Sequence, residues 1–60
     1  MIDAATLEAL LSLGRVAIDT EAPANATLYR RRGEPPISRY GADVNEAMRK
    51  ALAATREGQR

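Results

Sequence analysis

Two segments of the chain carry the apolar spacing of an amphipathic helix, one near each end. In the first segment, Leu7, Leu10 and Leu11 recur at helical intervals and share one face. Asp3 precedes them, and a short acidic side chain in that position accepts hydrogen bonds from the free N–H groups of a first helical turn. The pattern therefore predicts a helix over residues 4–13 that is capped by Asp3.

The second helical segment has the stronger signal. Asp43 stands three residues before Glu46, which is the spacing of a capping box. Glu46 and Lys50 are four residues apart, so their opposite charges attract on a helix surface. An apolar stripe follows the spacing of three and four residues: Val44, Ala47, Met48, Ala51 and Leu52. These features predict a helix over residues 44–56, ended by Gly58.

Between the helices, apolar and polar side chains alternate with the two-residue period of a half-buried strand. The alternating side chains are Val16, Ile18 and Thr20 on one side, and Arg15, Asp19 and Glu21 on the other. Residues 22–25 contain a proline and favour a turn, after which residues 27–32 can return as a second strand with Leu28 inward. We therefore predict a short two-stranded antiparallel hairpin.

The predicted fold class is α+β, in the order helix, hairpin, proline-containing loop, helix, as one small interaction domain over residues 1–60. The loop is placed at residues 33–36, because Pro36 lacks a backbone donor and confines Pro35 to extended geometry. Residues 37–40 then lead to the second helix. The alternative is two helices joined by an extended arm that becomes ordered on a partner.

The composition limits the core that this chain can build. The apolar fraction is 45%, but 12 of the residues behind it are alanine, and the chain has no Phe and no Trp. No cysteine is present to cross-link so short a chain. Chains of this size commonly gain stability by association. We therefore expect a homo-oligomer or a place in a larger protein complex.

The residue types also argue against catalysis. The chain has no His for proton transfer near neutral pH and no Cys for nucleophilic attack. Its carboxylates lack the spacing of a calcium loop, and its four glycines do not form a phosphate-binding loop. We expect a non-enzymatic protein with no catalytic residue, no cofactor, no metal site and no small-molecule substrate.

Basic and aromatic side chains concentrate in the segment from residue 28 to residue 41. The candidate partner-binding residues are Tyr29, Arg30, Arg31, Arg32, Arg39 and Tyr40. Residues 1–27 carry a charge of −3 and residues 28–60 a charge of +4, so the overall net charge of +1 conceals a strong asymmetry. Tyr and Arg are enriched as anchors of protein interfaces. Three interpretations are open: a protein interface, a nucleic-acid interface, or a solvated face whose tyrosines belong to the core.

The favoured function is a small adaptor or assembly protein that acts by protein–protein interaction through this Arg/Tyr segment. An accessory or structural component of a phage or mobile element is one role that suits this size. The alternative is a nucleic-acid-binding protein, in which Arg30, Arg31, Arg32 and Arg39 contact phosphates while Tyr29 and Tyr40 stack on bases. With no signal sequence or apolar stretch long enough to cross a bilayer, we expect a cytoplasmic or particle-borne protein, not secreted and without a membrane partner.

Overall fold

Two helices pack on one face of a three-stranded antiparallel sheet, so the predicted α+β class is confirmed. The computed structural model describes residues 1–30 and 33–57, the last of these by its backbone only. The elements in chain order are α1 (Ala4–Leu11), β1 (Gly14–Asp19), β2 (Ala24–Arg30), β3 (Ile37–Gly41) and α2 (Val44–Glu57).

The predicted two-stranded hairpin is incomplete, because the sheet has a third strand. Its turn is also misplaced, because Ala24 and Asn25 already belong to β2. The strand order is β1-β2-β3, and both pairs are antiparallel. Leu28 in the central strand lies opposite Val16 on one side and Ile37 on the other. Strand β3 escapes the sequence pattern because its second buried position, after Ile37, is Gly41, which carries no apolar side chain. The segment read as a lead into the second helix, or as an extended arm, is therefore part of the sheet.

The alternation predicted for the first strand is confirmed as far as Asp19, where β1 ends; Thr20 and Glu21 follow the strand and are both exposed. Val16 and Ile18 are half-buried and pack against the core, while Arg15 and Asp19 are exposed. The first helix is two residues shorter than predicted and ends at Leu11.

Gly14, at the start of β1, lies directly against the backbone of β2. A Cβ atom at this position would collide with the carbonyl oxygen of Tyr29 on the neighbouring strand. The backbones of β1 and β2 can therefore meet here only because the residue is glycine.

Helix α2 begins at the predicted position and is capped largely as predicted. The N–H of Glu46 donates to Asp43 Oδ1 at 2.8 Å, and Glu46 Oε1 accepts from the N–H of Ala42 at 2.7 Å. Lys50 Nζ lies 3.8 Å from Glu46 Oε1, which confirms the expected i,i+4 pair. The helix extends to Glu57, one residue beyond the predicted end, and Gly58 lies outside the described residues.

The core lies between the helices and one face of the sheet. Its fully buried large side chains are Leu10, Leu28 and Met48. The remaining buried core is mostly small and consists of Ala24, Ala26, Ala47, Ala51 and the larger Ile37. Small side chains on both surfaces let α2 lie close to β2 and β3, whereas α1 contacts β1 and α2. Both helices therefore occupy the same face, and no element within residues 1–30 and 33–57 lies on the other face of the sheet.

Gly41 sits where β3 passes beneath the first turn of α2. A Cβ atom added there would lie 2.7 Å from the backbone nitrogen of Ala47 and 2.8 Å from Glu46 Cβ. We expect Gly41→Ala to lower the free energy of unfolding by about 1–3 kcal/mol, because the helix must move off the sheet. Urea denaturation followed by circular dichroism measures the change. Gly33→Ala is the comparison. The φ angle at Gly33 is +72°, which disfavours alanine, but the added Cβ would meet no other atom. We therefore expect Gly33→Ala to lower the free energy of unfolding by only about 1 kcal/mol. Equal stability of Gly41→Ala and the wild type would contradict this packing.

Asp3 caps α1 through its carboxylate. The hydrogen bond from Thr6 Oγ1, 2.8 Å long, and then the N–H groups of Thr6 and Ala5 hold the pKa of this carboxyl below its ordinary value. A lowered folded-state pKa means that the charged form stabilises the fold above the unfolded-state pKa, and that this stabilisation disappears as the pH falls through the folded-state pKa.

We therefore expect the wild type to lose more stability than Asp3→Asn between about pH 5 and about pH 2. Asparagine caps a helix about as well as aspartate but does not titrate, so it is the matched control. Urea midpoints across this pH range provide the measurement. Parallel curves for the two proteins would show that the Asp3 charge adds nothing to the cap.

Candidate partner-binding face

The side of the sheet away from the helices presents a continuous row of side chains from all three strands. We call it the open face, and its members are Arg15, Ala17, Asp19, Asn25, Thr27, Tyr29, Ser38 and Tyr40. They share one side because successive residues of a strand point to opposite faces, and the residues between them face the helices. No element formed by residues 1–30 and 33–57 covers this face.

Both tyrosines of the chain lie on the open face. Tyr29 is 49% exposed and lies opposite Arg15, and Tyr40 is 60% exposed and lies opposite Asn25. Their positions differ by four residues along the strand direction and by one strand across it, so their backbones are roughly 14 Å apart. The rings therefore stand at opposite corners of the face. Neither tyrosine is a core residue, so the interpretation in which the tyrosines belong to the core is wrong.

A polar cluster fills the space between the tyrosines. Asn25 Nδ2 donates to Ser38 Oγ at 2.8 Å and to the carbonyl oxygen of Arg39 at 3.2 Å. The Thr27 hydroxyl lies 2.8 Å from Asn25 Oδ1 and 3.1 Å from Ser38 Oγ, and its one hydrogen serves either acceptor. These hydrogen bonds join side chains of β2 and β3 across the open face.

Arg30 lies at the end of β2 and is engaged within the chain. Its Nη1 is 2.9 Å from Glu34 Oε2, and its Nε and Nη2 donate to the carbonyl oxygen of Pro35 at 3.2 and 2.8 Å. The planar guanidinium thus holds the connection between β2 and β3 at two neighbouring residues. Of the arginines proposed from the sequence, this one acts on the local fold.

Arg39 occupies the opposite side of the sheet from the tyrosines. It lies opposite Ala26, at a helix-side position of the edge strand β3, and its exposed side chain donates to the Ser38 carbonyl oxygen at 2.8 Å. Arg31 and Arg32 lie outside the described residues. The structure therefore brings Tyr29 and Tyr40 to one face and places Arg30 and Arg39 elsewhere.

Sequence reasoning missed several members of the open face. Arg15 and Asp19 were predicted to share a strand side but were not linked to the tyrosines, because this requires the register between β1 and β2. Asn25 and Ser38 were missed because their pairing depends on the third strand. The available signal was the period of two around Leu28, which places Thr27 and Tyr29 on the side away from the core.

A shallow concavity of about 690 Å³ borders Tyr40 and is lined in part by Pro23 and Lys50. Within residues 1–30 and 33–57, His, Cys, Asp and Glu side chains form no group of three that could hold a metal ion. No helix in those ranges has the length and apolar character needed to cross a membrane.

Comparison with protein-family models, with curated proteins and with solved structures finds no match to this chain.

The contacts of Arg30 generate a stability prediction. We expect Arg30→Ala to lower the free energy of unfolding by about 0.5–1.5 kcal/mol, because the half-buried guanidinium no longer ties Glu34 and Pro35 to β2. Arg49→Ala, which removes an exposed arginine from α2, is the matched control and should change stability by less than about 0.5 kcal/mol. Urea titrations of both variants give the two values. Equal midpoints for Arg30→Ala and the wild type would show that these contacts do not hold the loop.

Proposed function

We propose that this protein is a non-enzymatic adaptor or assembly component that docks another protein on its open face. The observation that carries the proposal is the placement of Tyr29 and Tyr40, both about half exposed, on an uncovered sheet face. A tyrosine ring offers large apolar area with few rotatable bonds and a hydroxyl that bonds to polar groups. Such side chains are frequent anchors of protein interfaces.

The shape of the open face supports a protein partner. The residues between the two rings are small: Ala17, Thr27 and Ser38. Their side chains rise little above the backbone, so a partner can lie flat on the sheet with its own side chains against the two rings. Because Asn25, Thr27 and Ser38 are already ordered by mutual hydrogen bonds, binding costs little side-chain entropy there.

The charges of the open face also favour a protein. Its two charged side chains, Arg15 and Asp19, have opposite signs and no net charge. Nucleic-acid-binding surfaces carry clustered positive charge that follows the phosphates. Arg30 is paired with Glu34, and Arg39 lies on the helix side, so neither adds positive charge beside the two rings. Arg31 and Arg32 remain candidates from the sequence alone.

One observation keeps nucleic-acid binding as the second candidate. Exposed aromatic rings on a sheet are also the platform on which several RNA- and DNA-binding modules stack unpaired bases. Under this alternative, Tyr29 and Tyr40 stack on two bases about four strand positions apart, and Arg15 supplies a phosphate contact.

Quantitative affinity capture from nuclease-treated lysate of the encoding organism tests the proposal. We expect a captured protein whose recovery falls about tenfold or more with Tyr29→Ala/Tyr40→Ala, since truncation of an interface anchor commonly costs this much. The matched control is Arg49→Ala on the exposed side of α2, which should keep full recovery. Circular dichroism on each variant verifies that the fold is intact.

Binding of single-stranded DNA and RNA over a salt series separates the two candidates. Micromolar affinity that falls steeply with salt and is lost in the double tyrosine variant would replace the adaptor proposal by the nucleic-acid one. A capture profile identical for the wild type and the double tyrosine variant would overturn the proposed docking face.

A further inference from the structure

Strand β1 lies at an edge of the sheet and pairs on one side only. Its neighbour is β2, and nothing in residues 1–30 or 33–57 pairs with its other side. An edge strand presents a row of unpaired N–H and C=O groups on which another strand can form hydrogen bonds. The side chains of β1 determine whether a second strand can pair with it.

The two edges of the sheet differ in how they are protected. Strand β3 follows Pro35 and Pro36 and carries Arg39 at a helix-side position, where a strand added to this edge would bring apolar residues against its charge. Proline and inward-facing charge are two means by which natural sheets block their edges. Strand β1 contains neither, because its helix-side positions after Gly14 are the half-buried Val16 and Ile18.

Apolar surface continues beside the unprotected edge. Helix α1 is the element that lies over β1, and its Leu11 is 50% exposed. Val16 and Ile18 are also only partly covered. A strand placed against β1, with its own helix beside it, would remove part of this apolar surface from water.

The sequence of β1 is complementary to itself when it is reversed about Ala17. In this antiparallel register, Arg15 lies opposite Asp19 of the second copy, Val16 lies opposite Ile18, and Ala17 lies opposite Ala17. Because the arrangement is two-fold symmetric, the Arg15–Asp19 pair and the Val16–Ile18 pair each occur twice. Opposite charges and β-branched apolar pairs at directly opposed positions both stabilise antiparallel sheets.

We propose that β1 pairs with the β1 strand of a second copy of this chain, forming a two-fold dimer with one continuous six-stranded sheet. The Arg15–Asp19 pairs lie on the open face and the Val16–Ile18 pairs on the helix side. Arg15, Ala17 and Asp19 belong to this interface and to the open face, but the proposed function rests on Tyr29 of β2 and Tyr40 of β3. Dimerisation can be measured with no partner present, and the double tyrosine variant leaves β1 unchanged, so each proposal can fail without the other.

A charge-reversal series tests the register. Arg15→Glu places two carboxylates opposite each other, and Asp19→Lys places two cations opposite each other, so each variant alone should dimerise about tenfold or more weakly than the wild type. An equal mixture of the two variants restores opposite charges in both pairs of a mixed dimer. Sedimentation equilibrium should therefore show dimers in the mixture at concentrations where each variant is monomeric.

Single cysteines provide a second measurement that does not rely on charge. Residues directly opposed in an antiparallel pair have Cα atoms about 4.5–5.5 Å apart, which is within the span of a disulfide. The chain has no native cysteine, so Ala17→Cys should cross-link to itself under mild oxidation. Ser38→Cys, on the open face of the opposite edge strand, is the matched control: it should still dimerise through β1 but form little disulfide cross-link.

Each variant must give the circular dichroism spectrum of the wild type. Arg39→Glu, on the opposite edge strand β3, is a further control and should leave dimerisation unchanged. A wild-type chain that remains monomeric up to about 1 mM would overturn the proposal. So would a dimer that is indifferent to the charge series, or equal cross-linking by Ala17→Cys and Ser38→Cys.

Discussion

The close approach of α2 to the sheet is the constraint on which the rest of this structure depends. Ala26 on the sheet and Ala47 and Ala51 on the helix are fully buried, and Gly41 leaves no room for a Cβ beneath the first turn of the helix. Because the core has few large side chains, its stabilisation comes mainly from close packing between the surfaces of α2 and the sheet. Both helices lie on the same face of the sheet and contribute to this packing.

This arrangement separates the apolar core from the face that we propose as the partner-binding surface. The helix side holds the apolar core, and the open face carries Tyr29 and Tyr40 with a hydrogen-bonded floor between them. The arginines also lie on different sides of the sheet: Arg30 bonds to the β2–β3 connection, whereas Arg15 lies on the open face. Neighbouring residues of the segment 28–41 therefore do not share a role. Tyr29 and Tyr40 point to the open face, whereas Arg30 and Arg39 point to the helix side, because successive strand residues alternate between the two faces.

The sequence predicted the elements whose signals are local. The stripe from Val44 to Leu52 and the Asp43 cap located α2 within one residue, and the alternation around Val16 located β1. Strand β3 was missed because Gly41 and Arg39 occupy positions where an apolar pattern would have revealed it. The tyrosines were recognised as candidates from their residue type. Their shared face could not be, because it follows from the register between β2 and β3, and β3 was not predicted as a strand.

Arg39 has a consequence for the size of any assembly built on β1. In the proposed dimer the two permissive edges face each other, and each outer border of the sheet is a β3 strand with an arginine and a preceding proline pair. Addition of a third copy would then have to desolvate a guanidinium group at the junction. In that dimer, growth would stop at a closed pair, and the chain would gain a six-stranded sheet without the tendency of unprotected sheets to extend into ribbons.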